Sequence, residues 1–132
     1  MKVLVLVCRI LLGLVFVFFG CMGLFMHPTL PPRGTPLGDL VNIFHEVGWS
    51  QVVAALQVIG GLLVLFGGTA PFGLCILCPI TVNILLFHIL FHAVAPSMII
   101  APIVVTILEI VLLYAYRGSF ASVWTTKATP TL

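Results

Sequence analysis

The chain has 132 residues, of which 62% are hydrophobic and only 6% charged, and its mean hydropathy is +1.36. A soluble domain is roughly a quarter charged, so this balance excludes a water-soluble enzyme and points to an integral membrane protein with the lipid bilayer as its first partner. A net charge of +2 without any basic run leaves no footprint for nucleic acid.

The length allows about four spans of roughly 20 residues joined by short links. The reading is therefore all-α: a single polytopic membrane four-helix bundle, with helices at about 3–25, 49–67, 72–95 and 97–116, a loop at 26–48 and a tail at 117–132. The first segment begins like a signal peptide, with Lys2 before an apolar run. It is too long for a signal h-region and lacks an A-x-A-like cleavage site, so a retained helix is expected. Arg9, Gly13, Phe16, Gly20 and Gly23 fall on one helical stripe. Small residues let a neighbouring membrane helix come close, so this stripe faces inward and carries Arg9 with it.

The loop contains Pro28, Pro31, Pro32 and Pro36, which lack the amide hydrogen and fix φ. Thr35 can cap a helix that has Pro36 in its first position. Leu37, Leu40, Val41, Phe44 and Val47 recur at helical spacing, with Asp39, Asn42, His45 and Glu46 on the other side and Gly48 as the stop. The expectation is a short amphipathic helix in the interface plane. In the second span Gln57, Gly60, Gly61, Val64 and Gly68 share a face, and GGTAP from Gly67 to Pro71 makes a tight turn. The third span carries Cys75, Cys78, Asn83, His88 and His92, and Pro79 is expected to kink it. Pro102, Glu109, Leu113 and Tyr116 form the interior stripe of the fourth. Lys2, Arg9, Arg117 and Lys127 lie at the terminal side and Arg33 on the other, which puts both termini in the cytoplasm by the positive-inside rule. In a Gram-negative bacterium the first loop then faces the periplasm.

Polar side chains at membrane depth are costly and mark functional candidates. Counted at about 1.5 Å per residue, Arg9 and Glu109 lie roughly 9–11 Å in from the cytoplasmic ends, and Gln57 and Asn83 roughly 15 Å in. The expectation is an Arg9–Glu109 ion pair with Gln57 and Asn83 bridging above it. Such a group acts either as glue that fixes helix register or as the polar floor of a small-molecule pocket that also includes His88. His88 and His92, four apart on one face, either hydrogen-bond at the interface or present two imidazoles to a metal or haem. No further ligand set accompanies them, and no metal is assigned. Cys75 and Cys78 form a C-x-x-C near the start of a helix, a candidate redox pair. The alternative is small apolar packing residues, since no thioredoxin-like βαβ pattern is present and the expected side is the reducing cytoplasm. None of the common nucleotide-binding, hydrolase or metalloprotease motifs occurs.

The chain resembles the DoxX family of small bacterial membrane proteins. The resemblance rests on RILLGLVFVFFG, LQVIGGLLVLFG, GTAPFGL, PITVNILLFHILF and ILEIVLLYAYRGSF in that order, over about residues 9–120. It implies a four-helix inner-membrane protein with cytoplasmic termini, linked to membrane redox complexes and therefore to a quinone and a redox partner protein. The long proline-containing loop and the C-x-x-C depart from the family pattern. Three functions stay open: an accessory subunit of a quinone-linked membrane redox complex, a non-enzymatic assembly or scaffold factor, and a small-solute transporter; a second copy of the chain, in a homo-oligomer, is a further open partner.

Overall fold

The computed structural model describes residues 2–91 and 99–121, and they form an all-helical bundle without strands. Six helices follow in order: α1 Lys2–Phe25, α2 Pro36–Glu46, α3 Trp49–Leu65, α4 Ala70–Leu90, α5 Ile100–Ala115 and the single turn α6 Arg117–Phe120. A 3₁₀ turn at Gly67–Thr69 joins α3 to α4. The four longest helices contact one another in a ring, α1 on α3, α3 on α4, α4 on α5 and α5 on α1.

Two stretches are long and apolar enough to cross a bilayer, Lys2–Phe25 and Gly67–Leu90, and the bent pair α2 and α3 adds a third if counted as one span. At 16 residues α5 is apolar but shorter. Large apolar side chains cover the outside of the bundle, among them Phe18, Phe25, Phe72, Leu90 and Ile110. A surface of this kind is stable against hydrocarbon and not against water.

The helices meet through small residues. Gly13 and Gly61 face each other: a Cβ on Gly61 would stand 2.8 Å from the Gly13 carbonyl oxygen, and one on Gly13 2.9 Å from that of Gly61. On the other side of α3, a Cβ on Gly73 would stand 2.7 Å from the Gly60 carbonyl oxygen. Backbone therefore lies on backbone at both seams, the contact that holds helices together where no hydrophobic driving force acts between them. Leu12, Val64, Leu74, Leu77 and Leu112 fill the centre and are fully buried.

The first loop folds as its prolines and cap dictate. Thr35 is the N-cap of α2, its Oγ1 accepting from the Gly38 amide at 3.0 Å, with Pro36 in the first turn. Gly48 adopts φ +78°, a left-handed conformation that costs glycine little, and α2 and α3 meet there at 75°. Phe44 and Trp49 pack across the bend, ring centres 6.4 Å apart. Asn42, expected on the polar outer side, is buried instead. Its Nδ2 donates to the Pro31 carbonyl at 2.9 Å and the Gly38 carbonyl at 2.7 Å, which straps the proline segment onto α2. Arg33 pairs with Glu46 at the exposed edge of the same loop.

The third predicted helix ends at Leu90 and the fourth begins at Ile100. The predicted ends at residues 95 and 97, with His92, lie outside the described residues. The predicted loose tail starts with a helical turn, Arg117–Phe120. Pro79 lies inside α4, which runs on as one helix from Ala70 to Leu90.

Candidate functional site

Glu109 is the most deeply buried ionisable residue among those described, at 4% exposure. A carboxyl group in such a place needs a hydrogen-bonding partner. It finds one on α4: the Thr81 hydroxyl donates to Glu109 Oε1 at 2.8 Å, and Thr81 is itself buried. The Cys78 thiol stands beside the same carboxyl. Three polar groups, two from α4 and one from α5, thus close on one another in the middle of the bundle.

The expected Arg9–Glu109 ion pair does not form. The guanidinium of Arg9 lies against Gly67, and its Nη1 reaches the Tyr116 hydroxyl at 3.5 Å. That hydroxyl in turn points to the Gly67 carbonyl at 3.5 Å. Arg9 is long and flexible enough to carry its charge towards the end of the bundle, whereas the short Glu109 side chain stays at its own depth. Tyr116 follows Glu109 by seven residues, about two turns or 10 Å along α5. Equal depth of two α-carbons therefore did not bring the charged tips together.

The expected Gln57–Asn83 bridge does not form either. Asn83 is exposed on the outer face of α4 and donates to the Pro79 carbonyl of its own helix at 3.0 Å. That bond satisfies one donor of a side chain on the outer face of the bundle. Gln57 is half-buried and stays inside.

Gln57 lines a cavity of 530 Å³ together with Thr81 and His88. Phe16 and Phe19 of α1, Ile84 of α4, and Pro102 and Val105 of α5 supply its apolar walls. Thr81, bonded to Glu109, is one of its lining residues, and Thr81 to His88 spans seven residues, or roughly 10 Å along α4. A mostly apolar cavity with a few convergent polar groups is the usual form of a small-molecule site.

The polar groups have a defined sense. His88 Nδ1 lies 2.7 Å from the Ile84 carbonyl oxygen. A carbonyl can only accept, so Nδ1 carries the proton, and in the neutral imidazole Nε2 is left as an acceptor. Thr81 spends its hydroxyl proton on Glu109 and keeps only oxygen lone pairs. The cavity therefore offers two acceptors, with the Gln57 amide able to donate or accept. A ligand bearing hydroxyl donors suits this arrangement better than one bearing only carbonyls.

The thiols have unlike surroundings. Cys75 is exposed on the outside of α4 and Cys78 is half-buried beside Glu109, and all four cysteines are free. Among the described residues no three His, Cys, Asp or Glu side chains come together as a metal site. Two features of the site were hidden in the sequence: Thr81 as the partner of Glu109, and the tautomer of His88. The i, i+4 backbone contact from Ile84 to His88 is a local signal that could have revealed the second.

Compared with known protein families, curated proteins and solved structures, the chain matches none.

Proposed function

We propose that this chain is a small DoxX-like protein of the bacterial inner membrane that holds the head of a quinol in the cavity, as an accessory subunit of a membrane redox complex. The observation that carries this reading is the cavity itself, where His88 and Thr81 present acceptors and Gln57 an amide between apolar walls. A quinol head is a flat apolar ring with two hydroxyl donors and an apolar tail. Its hydroxyls fit His88 Nε2 and the Thr81 oxygen, and its tail fits a cavity open towards hydrocarbon. The redox centre belongs to the partner protein, and this chain binds and orients.

The four-span arrangement with both termini in the cytoplasm belongs to the same proposal. Its supports are the ring of four packed helices, the placement of Lys2, Arg9 and Arg117 at one end, and the ordered resemblance to DoxX sequences. The test is extraction of the protein purified in mild detergent. Purified under reducing conditions, the native chain is expected to carry near-stoichiometric quinol, recovered as quinone once it oxidises on extraction, and His88→Phe strongly reduced amounts. A native chain that carries none, under conditions that keep quinone in a control membrane enzyme, would favour the scaffold reading.

A further inference from the structure

At the opposite end of the bundle from the cavity, a groove of 840 Å³ runs between α1 and α5. Lys2, Arg9 and Arg117 line it, with Tyr114 and Tyr116 beside them. We infer that this groove binds an anionic phospholipid, its phosphate among the three cations and an acyl chain along Val5, Ile110 and Val111.

Charge accounting leads to this occupant. The whole chain has three acidic residues, and each is engaged elsewhere. The Asp39 carboxylate accepts from the Gly34 amide, Glu46 pairs with Arg33, and Glu109 is buried against Thr81. None of these three carboxylates lines the groove, so the described residues supply no carboxylate side chain for its three cations. The arginines are also incompletely used. Arg9 Nε is buried without a hydrogen-bonding partner among the described residues, and among them its one side-chain hydrogen bond is the long one to Tyr116. Arg117 is held in place over the Tyr114 ring, 4.3 Å from its centre, and donates Nη1 to the Tyr114 carbonyl at 2.9 Å. Its remaining donors are free to meet a phosphate.

The walls decide between a lipid and a free anion. Leu6 and Ile110 are exposed apolar side chains on the outer face of the two helices, so the groove is continuous with the hydrocarbon-facing surface. Basic pockets between membrane helices on the cytoplasmic side are a recurrent headgroup site. A zwitterionic headgroup brings its own cation and meets this triad less well than a phosphatidylglycerol does.

The experiment compares phosphatidylglycerol and phosphatidylcholine of identical chains added to the purified full chain in detergent. Bound lipid is counted by native mass spectrometry, and thermal stability is followed in parallel. Phosphatidylglycerol is expected to be retained preferentially and to raise the melting temperature more, with a preference that shrinks as salt rises. Lys2→Gln with Arg117→Gln changes two exposed side chains and leaves Arg9 in place. It should lower that preference roughly tenfold, and the loss of the Arg117–Tyr114 contacts is read separately as the change in melting temperature in phosphatidylcholine. Equal retention of the two lipids by the native chain overturns the inference, as does an unaltered preference in the double variant. Inorganic phosphate should give no thermal shift, and a shift equal to that from phosphatidylglycerol would make this a free-anion site and equally overturn the lipid assignment.

Discussion

Glu109 and Thr81 are the residues on which the interior depends. Thr81→Val leaves Glu109 with only the Cys78 thiol beside it and is expected to destabilise by about 1 kcal/mol. Glu109→Leu removes the acceptor as well, and the two changes together should cost less than the sum of the singles by about 1 kcal/mol or more. Arg9 and Glu109 share no hydrogen-bonding partner. Arg9→Leu and Glu109→Leu should therefore add to within about 0.5 kcal/mol. Thermal or denaturant unfolding in detergent reads all of these, and a strong rescue in the Arg9/Glu109 double variant would show that the charges do meet. The residue scale is also where the sequence was least legible. Helical periodicity places a residue on a face at a depth, which correctly buried Glu109 and kept Gln57 inside. It does not say which neighbour a flexible tip reaches. Arg9 reaches towards the helix end and Asn83 bonds back to Pro79, because a long flexible tip and a local backbone carbonyl each set a direction that face and depth do not fix.

Elements were easier to read, because their causes are local. The proline run, the Thr35 cap and Pro36 define the start of α2 without any tertiary information. The glycine stripes on the first and second spans mark the seam where α1 meets α3. Asn42 is the exception: by its spacing it belongs to the polar side of α2, and only the returning proline segment buries it. The seam makes a sharp prediction. Gly61→Ala sets a methyl against the Gly13 carbonyl and should cost about 1–3 kcal/mol as overpacking. Gly68→Ala, whose Cβ would meet nothing within 4 Å, should be close to neutral. Equal losses of melting temperature for the two would mean that α1 and α3 do not approach so closely. At the bend, Gly48→Ala forces a side chain into a left-handed conformation and should cost about 1 kcal/mol.

At the scale of the whole molecule, a leucine core separates two dissimilar ends. One holds the cavity with its acceptors, and the other the cationic groove. Composition and the segment pattern foretold the all-helical bundle and its apolar surface. The pocket expected around Gln57 and His88 is in part the observed cavity, but its walls and the cationic groove were not legible, because a cavity is where side chains from several helices fail to fill space. The proposed orientation places Gly34 outside and Ser119 inside. A cysteine at Gly34 should react with an impermeant thiol reagent in intact cells lacking their outer membrane, and one at Ser119 only after lysis; the reverse pattern would invert the topology. The central claim is that the cavity receives a hydroxyl-bearing ring, and the most direct measurement is equilibrium binding of a short-chain quinol beside its dimethyl ether. The two differ in the hydroxyl hydrogens that His88 and Thr81 are arranged to accept. The quinol should bind the native chain at least about tenfold more tightly, a difference of about 1.4 kcal/mol, and His88→Phe should remove most of that advantage. Equal binding of the two compounds, or an advantage undiminished in His88→Phe, would contradict the account.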